Sequence, residues 1–197
     1  MDLTSPLILA SQSPRREQIL KMLGFDFEIV PPYADETPPA GLEAEAIPEA
    51  LARVKAQAVS ALRPEALVLG SDTLVEIDGR VLGKPADEAE AVSMLQWLNG
   101  RSHRVFTGVA LARGGVVLAS ETECTEVTFA LHSVSDLEAY VRGGEPMDKA
   151  GSYAIQGRGA FLVEKIDGCF FNVMGLPVQK TLHLLAPHRQ AGTSTFP

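Results

Sequence analysis

A short apolar run followed at once by the signals of a helix start is the feature that most constrains this chain. Residues 7–10 (LILA) predict a short buried strand. Ser13 is a favourable N-cap residue, and Pro14 suits the first position of a helix. Apolar residues then recur at helical spacing over 19–23, until Gly24 ends the pattern. The pattern predicts a strand, a tight turn and a helix.

The first turn of this helix carries two adjacent arginines, Arg15 and Arg16. The N-terminus of a helix has partial positive charge, so cations there are unfavourable unless an anion lies nearby. Backbone N–H groups, the serine hydroxyls of Ser11 and Ser13 and two guanidinium groups would together bind a phosphate. The alternative is a solvated arginine pair with a partner carboxylate such as Glu17. This stretch alone does not decide between the two.

The charge balance restricts the partners of the chain. With 17 Lys and Arg against 25 Asp and Glu among 197 residues, the formal net charge is −8. We therefore expect no nucleic-acid binding through a general basic surface. Any anion site must be a local cluster of cations in an acidic protein. The length suffices for one domain with a substantial core or for two small lobes.

Cysteine use and hydropathy indicate the compartment. Cys124 and Cys169 lie far apart without CxxC spacing, which favours a reduced, intracellular protein. The N-terminal apolar run is too short for a signal peptide, and no stretch is long enough to span a bilayer. We expect a soluble, cytoplasmic protein without a membrane partner. A homodimer is compatible with this size, although no interface segment stands out.

Helix and strand patterns alternate early in the chain, and hairpin patterns dominate its middle. The patterns include a helix from about Pro48 to Leu62, a strand at 67–69 followed by a loop at 70–73, and a short strand at 153–155. We predict an α/β fold with a mixed sheet, bent into two lobes that are not contiguous in sequence. The predicted organisation is one domain over 1–197 with a loose tail from about 187.

Three charged residues in or next to predicted strands and helices could carry chemistry. Asp72 follows an apolar strand, where it could bind a metal, accept a proton from water, or hydrogen-bond the turn. Lys55 lies near the apolar stripe of its helix, which favours a side chain that snorkels to solvent. Lys84 could present its ammonium to a phosphate, but Gly83-Lys84-Pro85 is not a Walker motif, so a surface lysine is the simpler interpretation.

Further candidates lie in predicted loops. Glu36, in the proline-rich segment 31–39, is either a functional or a solvated carboxylate. Gln156 could read a base edge by paired hydrogen bonds or satisfy backbone groups of its turn. Gly157-Arg158-Gly159 lacks the third glycine of a dinucleotide fingerprint and is set aside. The four histidines show no zinc-ligand spacing.

Together these segments resemble the Maf-like nucleotide pyrophosphatases. The matching segments are 9–16 (LASQSPRR), the loop with Asp35-Glu36, Lys55 in its helix, 70–73 (GSDT), 83–85 (GKP), 148–151 (DKAG), 153–157 (YAIQG) and 173–177 (VMGLP). Each is weak alone, but their order and spacing from Leu7 to Leu185 are highly specific. The resemblance implies the family's fold, which is an elongated mixed sheet flanked by helices, related to that of ITP pyrophosphatases, with a cleft between two lobes.

The resemblance also implies hydrolysis of a nucleoside triphosphate to the monophosphate and pyrophosphate with Mg²⁺ or Mn²⁺. It implies that Asp72 is the proton acceptor and that Glu36 is an acidic residue of the site, and we expect these two carboxylates to hold the metal. The substrate-binding set that it implies is Ser11, Arg15, Arg16, Glu36, Lys55 and Lys84. Arg16, Thr73 and Gln156 match positions that distinguish subfamilies. Thr73 and Gln156 resemble the branch that acts on dTTP and UTP.

Three alternatives stay open at this point. The branch acting on 7-methyl-GTP usually has a different residue after the aspartate, although Ser71 also occurs before the aspartate there. A nucleotide-binding regulator linked to septum formation, with little catalysis, is a second alternative. A generic phosphatase is a third, and it would release orthophosphate instead of pyrophosphate.

Overall fold

The computed structural model describes residues 2–190, which form two compact units. The first unit comprises 2–72, 107–123 and 175–190, and the second comprises 73–106 and 124–174. Each unit is therefore assembled from segments that are distant in the chain. Within the described residues, every helix is too short or too polar to cross a bilayer.

The strands form one mixed sheet. They are β1 (Leu7–Ala10), β2 (Phe27–Ile29), β3 (Leu67–Ile77), β4 (Arg80–Leu82), β5 (Ser102–Arg113), β6 (Val116–Phe129) and β7 (Val163–Asp167). Their order is β2-β1-β3-β5-β6-β7, and β4 pairs with β3 beside this path. The strand β1 is parallel to β2 and β3, whereas the pairs β3–β4 and β6–β7 are antiparallel. The predicted mixed α/β sheet is confirmed.

Helices accompany this sheet. They are α1 (Pro14–Met22), α2 (Ile47–Leu62), α3 (Glu88–Leu98), α4 (Val134–Arg142), α5 (Phe170–Met174) and α6 (Val178–Leu185). Short 3₁₀ segments occupy Glu145–Asp148, Ala150–Ser152, Gly157–Leu162 and Ala186–His188. The helix α4 begins with a full capping box between Ser133 and Asp136, and Asp87 caps α3 by accepting from the Glu90 N–H. These caps satisfy backbone donors that a helix start leaves without partners.

Small apolar residues make the core of the first unit thin and close-packed. Its central cluster comprises Ile8, Ala10, Ala52, Ala56, Val59, Ala66, Val68, Ala110 and Ala112. Alanines at these positions allow the α2 backbone to lie close to the strands, because no long side chain separates them. Gly70 in β3 continues this pattern, since a Cβ there would lie 2.4 Å from the Ala52 carbonyl oxygen.

Three aromatic rings anchor the core of the second unit. His103, Phe129 and Tyr153 pack edge to face, with centroid separations of 4.8 to 5.3 Å. The Nε2 atom of His103 lies 2.8 Å from the Tyr153 hydroxyl. Burial lowers the pKa of His103 to about 4, so the imidazole is neutral at physiological pH.

Two local predictions are wrong in an informative way. The loop predicted at 70–73 does not form, because β3 runs without interruption through Asp72 to Ile77. The strand predicted at 153–155 is absent as well. There the Ala154 N–H donates to the Tyr140 hydroxyl at 3.2 Å. A side-chain oxygen thus accepts the hydrogen bond that a neighbouring strand would accept in a sheet.

The first residues of the predicted loose tail are held against the N-terminal segment. The Thr4 N–H donates to the His188 carbonyl at 2.8 Å, and the Gln190 N–H donates to the Asp2 carbonyl at 3.1 Å. Leu3 and Arg189 form an isolated antiparallel bridge. The rest of that predicted tail, 191–197, lies outside the described residues.

Candidate active site

The hydroxyl of Ser11 holds the turn between β1 and α1. Ser11 directly follows β1 and is buried. Its Oγ accepts hydrogen bonds from the Ser13 N–H at 3.1 Å and from Nη1 of Arg16 at 3.2 Å. Ser13 is the N-cap residue of α1, but its own side chain makes no capping bond. The Ser11 hydroxyl therefore fixes both the turn and the direction of the Arg16 side chain.

The backbone of Gly175 fixes the Arg16 guanidinium at a second point. Arg16 Nε donates to the Gly175 carbonyl at 2.8 Å, and Ser71 Oγ donates to the same oxygen at 2.9 Å. Gly175 has φ of +111°, a backbone conformation that glycine adopts far more readily than other residues. One carbonyl thus ties the first turn of α1 to the residue that precedes Asp72 in β3.

The charge environment of Arg16 favours an anion. Burial, which has the largest effect, lowers the pKa of the guanidinium; Asp72 raises it, Arg15 lowers it, and Glu36 raises it. Arg15 is half-buried in the same helical turn. A partly desolvated cation next to a second cation is stabilised by added negative charge. A phosphate would supply that charge together with several hydrogen-bond acceptors.

The ammonium group of Lys55 connects two carboxylates. Its Nζ lies 2.7 Å from Oδ1 of Asp72 and 2.9 Å from Oε2 of Glu36. The Lys55 side chain is 7% exposed, against 17% for Asp72 and 53% for Glu36. The interpretation of Lys55 as a lysine that snorkels to solvent is therefore wrong. Its buried charge is compensated by a largely buried partner and by a half-exposed one.

Close packing of α2 on β3 brings Lys55 to Asp72. A Cβ on Gly70 would lie 2.4 Å from the Ala52 oxygen and 2.8 Å from the Ala56 nitrogen. Contacts that short are impossible, so only glycine permits this separation of the two backbones. Lys55 precedes Ala56 on α2, and Asp72 lies two residues after Gly70 on β3. The glycine therefore sets the distance across which the ion pair forms.

Asp72 and Glu36 fit the requirements of a divalent cation. Their oxygens converge on the single Nζ atom of Lys55, so both can also reach one ligand at that point. Mg²⁺ is commonly held by one or two carboxylates that are supplemented by waters and substrate phosphates. Residues 2–190 contain no group of three or more His, Cys, Asp or Glu arranged to hold a metal. These two carboxylates could hold such a cation only together with waters or substrate phosphates.

The first unit brings six of the predicted site residues together. They are Ser11, Arg15, Arg16, Glu36, Lys55 and Asp72. Three cations and two carboxylates among them leave one excess positive charge. An acidic chain has therefore concentrated positive charge around one buried carboxylate, as an anion site requires.

The remaining predicted site residues, Thr73, Lys84 and Gln156, belong to the second unit. Lys84 is exposed, in the loop between β4 and α3. That loop is hydrogen-bonded to the segment leading to Gln156, because the Gly151 N–H donates to the Gly83 carbonyl at 3.0 Å. Thr73 and Gln156 are half-buried. Each side chain is thus at least partly accessible.

Sequence reasoning missed the parts played by Ser71 and Gly175. Both lie in segments that carried the family resemblance, but their pairing spans 104 positions of the chain. A run such as Met174-Gly175-Leu176-Pro177 signals a turn, which is the available hint of a special backbone conformation. Which side chains such a carbonyl accepts from is set by tertiary structure.

Comparison with known proteins gives the family. Residues 6–188 match the family described as Maf-like protein. The chain therefore belongs to the Maf-like family. A dTTP/UTP pyrophosphatase of Symbiobacterium thermophilum is 51% identical over 179 residues, which cover 91% of this chain and 92% of the relative. A dTTP/UTP pyrophosphatase of Bacillus velezensis is 49% identical over 185 residues, with coverage of 93% and 96%.

A further relative and a solved structure are also similar to this chain. A dTTP/UTP pyrophosphatase of Salmonella typhimurium is 49% identical over 184 residues, which cover 91% of both chains. The structure of the Staphylococcus aureus Ham1 protein aligns with 64% of this chain and 72% of its own, at 14% identity and a TM-score of 0.47.

Proposed function

We propose that this chain hydrolyses dTTP and UTP to the nucleoside monophosphate and pyrophosphate with the aid of a divalent cation. The observation that carries the proposal is the convergence of Arg16, Lys55 and Asp72 in the first unit. Relatives that share about half of its residues over nearly the whole chain are named dTTP/UTP pyrophosphatases. We also propose a cytoplasmic location, because the chain has just two cysteines without CxxC spacing.

The phosphates bind at the start of α1. Arg15 and Arg16 donate guanidinium hydrogen bonds to phosphate oxygens, and the Ser11 hydroxyl keeps Arg16 in place. The ammonium of Lys55 neutralises charge beside them, and Lys84 is proposed as a further phosphate-binding cation. Negative charge grows on the departing pyrophosphate during the reaction, and fixed cations stabilise it there.

Water attacks the α-phosphorus, and Asp72 accepts its proton. The new bond joins the water oxygen to the α-phosphorus, and the bond to the oxygen that bridges the α- and β-phosphates breaks. Asp72 and Glu36 would hold Mg²⁺ or Mn²⁺, which would neutralise phosphate charge and increase the acidity of water. Lys55 orients the Asp72 carboxylate before substrate arrives. No covalent intermediate is required.

Base selectivity resides in the second unit. The edge of uracil or thymine presents a ring N–H between two carbonyl oxygens, which matches the acceptor and donor of an amide side chain. Gln156 supplies that amide, and Thr73 supplies a hydroxyl directly after the catalytic carboxylate. Within residues 2–190 the Gln156 side chain makes no hydrogen bond, so its amide is available to a ligand.

A panel of triphosphates tests the proposal. Purified protein is incubated with dTTP, UTP, CTP, ITP and 7-methyl-GTP in Mg²⁺, Mn²⁺ or EDTA, and pyrophosphate and orthophosphate are both measured. We expect pyrophosphate from dTTP and UTP with either metal and none with EDTA. Orthophosphate as the product would identify a generic phosphatase. Tight nucleotide binding without any product would identify a regulator, and preference for 7-methyl-GTP or ITP would overturn the base assignment alone.

A further inference from the structure

The segment that follows Gln156 is held by hydrogen bonds to one carboxylate. The Arg158 N–H donates to Oε1 of Glu145 at 3.1 Å, and the Gly159 N–H donates to Oε2 at 2.8 Å. Both oxygens of one carboxylate are therefore used to bind adjacent peptide groups. Charge-assisted bonds of this kind are stronger than bonds between neutral groups, so the Glu145 carboxylate restrains this backbone firmly.

The hydroxyl of Tyr140 holds the segment that precedes Gln156. It accepts from the Ala154 N–H at 3.2 Å and is hydrogen-bonded to the Glu145 carboxylate. Tyr140 is 2% exposed on α4. Burial raises the pKa of Tyr140, and the bond to Glu145 raises it further, so the hydroxyl keeps the proton that it donates. Tyr140 and Glu145 thus form a hydrogen-bonded pair that restrains the backbone on both sides of Gln156.

The two glycines of Gly157-Arg158-Gly159 leave space for the Tyr140–Glu145 pair. A Cβ on Gly157 would lie 2.4 Å from Oε1 of Glu145. A Cβ on Gly159 would lie 2.5 Å from the Tyr140 hydroxyl and 2.4 Å from the Ala154 carbonyl oxygen. Gly157 also has φ of +74°, where side chains are strained. The two glycines therefore leave space for the Glu145 carboxylate and the Tyr140 hydroxyl. This accounts for a glycine spacing that does not match a dinucleotide fingerprint.

Glu145 is itself restrained on its backbone side. The Lys149 ammonium donates to the Glu145 carbonyl at 2.5 Å and to Oδ1 of Asp148 at 2.6 Å. Burial raises the pKa of Glu145, but the bonds from Tyr140, Arg158 and Gly159 outweigh it and lower the pKa. The carboxylate is therefore ionised at neutral pH, and both the side chain and the backbone carbonyl of Glu145 are held by hydrogen bonds.

We propose that Glu145 and Tyr140 are positioning residues that hold residues 154–159 so that the Gln156 amide meets the substrate base at a fixed place. The inference rests on the proposed pyrimidine selectivity. An amide discriminates between base edges only when its backbone cannot shift to suit either edge. The residues act through Gln156 and touch no substrate.

The test compares UTP with CTP, which share ribose and phosphates and differ at the base edge. Glu145→Gln keeps the size of the side chain but replaces one acceptor oxygen by a donor that faces a backbone N–H. We expect the ratio of kcat/KM for UTP over CTP to fall by about 3- to 10-fold, the value of one hydrogen bond. Gln156→Ala should lower the same ratio, and the double variant should lower it no further.

Controls separate positioning from loss of the fold. Glu138→Gln is the matched control, because Glu138 is exposed on α4 and lies 3.8 Å from Arg142. It should keep the wild-type ratio. Tyr140→Phe, which removes one oxygen, repeats the test in case Glu145→Gln fails to fold. If Glu145→Gln and Tyr140→Phe both keep the wild-type ratio of kcat/KM for UTP over CTP, the inference is overturned. Absence of pyrophosphate release by the wild type would instead reject the proposed function.

Discussion

The Nζ atom of Lys55 lies 2.7 Å from Oδ1 of Asp72, although the two residues belong to different elements, α2 and β3. The ion pair gives the lysine a counter-charge in a buried position and gives the carboxylate a fixed orientation. Glu36, which reaches the same ammonium from an exposed loop, is the partner of Lys55 that substrate phosphates would most easily displace.

Removal of the Asp72 charge should abolish most of the activity. For Asp72→Asn we expect turnover of dTTP to fall by about 10²- to 10⁴-fold, because the variant cannot accept the proton of the attacking water. The measurement is pyrophosphate release under saturating dTTP. The matched control is Asp26→Asn, at an exposed position after α1, which should retain wild-type turnover. Near-normal turnover of Asp72→Asn would exclude Asp72 as the base.

The Lys55–Asp72 pair should show energetic coupling. We expect Lys55→Met and Asp72→Asn each to lower the free energy of unfolding, because each leaves a partly buried charge or polar group without its partner. The double variant should lose less than the sum, with a coupling of about 0.5–3 kcal/mol in urea unfolding. Additive losses would mean that the pair contributes nothing to the fold.

Gly70 should be intolerant of any side chain. For Gly70→Ala we expect a loss of about 1–3 kcal/mol of stability, since the new methyl group would meet α2 backbone atoms that cannot turn aside. Displacement of α2 would also move Lys55 from Asp72, so kcat should fall as well. Gly83→Ala is the stability control, because a Cβ there meets nothing within 4 Å. Equal melting temperatures for both variants would contradict the close approach of α2 to β3.

Burial of His103 predicts acid sensitivity. Burial lowers its pKa to about 4 in the folded protein, against about 6.5 for an ordinary histidine, so the unfolded chain binds the proton first as pH falls. The stability contributed by the neutral ring is complete above pH 6.5 and is lost as pH falls toward 4. The loss amounts to about 3 kcal/mol over this window. It can be measured by urea unfolding at several pH values.

A pair of histidine variants isolates this effect. His103→Gln should show a shallower decline of stability between pH 6.5 and 4 than the wild type. His183→Gln, at an exposed histidine of α6, should keep the steep decline. Parallel curves for His103→Gln and the wild type would show that the ring does not control the decline.

Local chemistry predicted much of the candidate site. The strand, N-cap and proline pattern at 7–14 located the turn between β1 and α1 that we propose as the phosphate site, because strand, cap and helix signals are encoded within a few residues. The pattern gave no hint that Lys55 is buried beside Asp72. That contact depends on how closely α2 approaches β3, which Gly70 determines from another part of the chain. Helical periodicity alone therefore favoured the wrong, snorkelling interpretation.

Other features depend on partners that are far apart in sequence. Asp72 was expected in a loop, but β3 continues through it. The glycines at 157 and 159 gave a visible motif whose purpose became clear only beside Glu145 and Tyr140. Short-range sequence signals thus identified where glycine is needed for the backbone conformation. Which side chains occupy the space beside those glycines is known only from the folded structure.

The division of the chain into two units falls between Asp72 and Thr73. The candidate base and its arginine and lysine partners lie on one side of that peptide bond, and Thr73 and Gln156 lie on the other. A chimaera that takes 73–106 and 124–174 from a relative but keeps Lys84 would therefore exchange the proposed base-reading residues while the proposed base and its partners stay those of this chain.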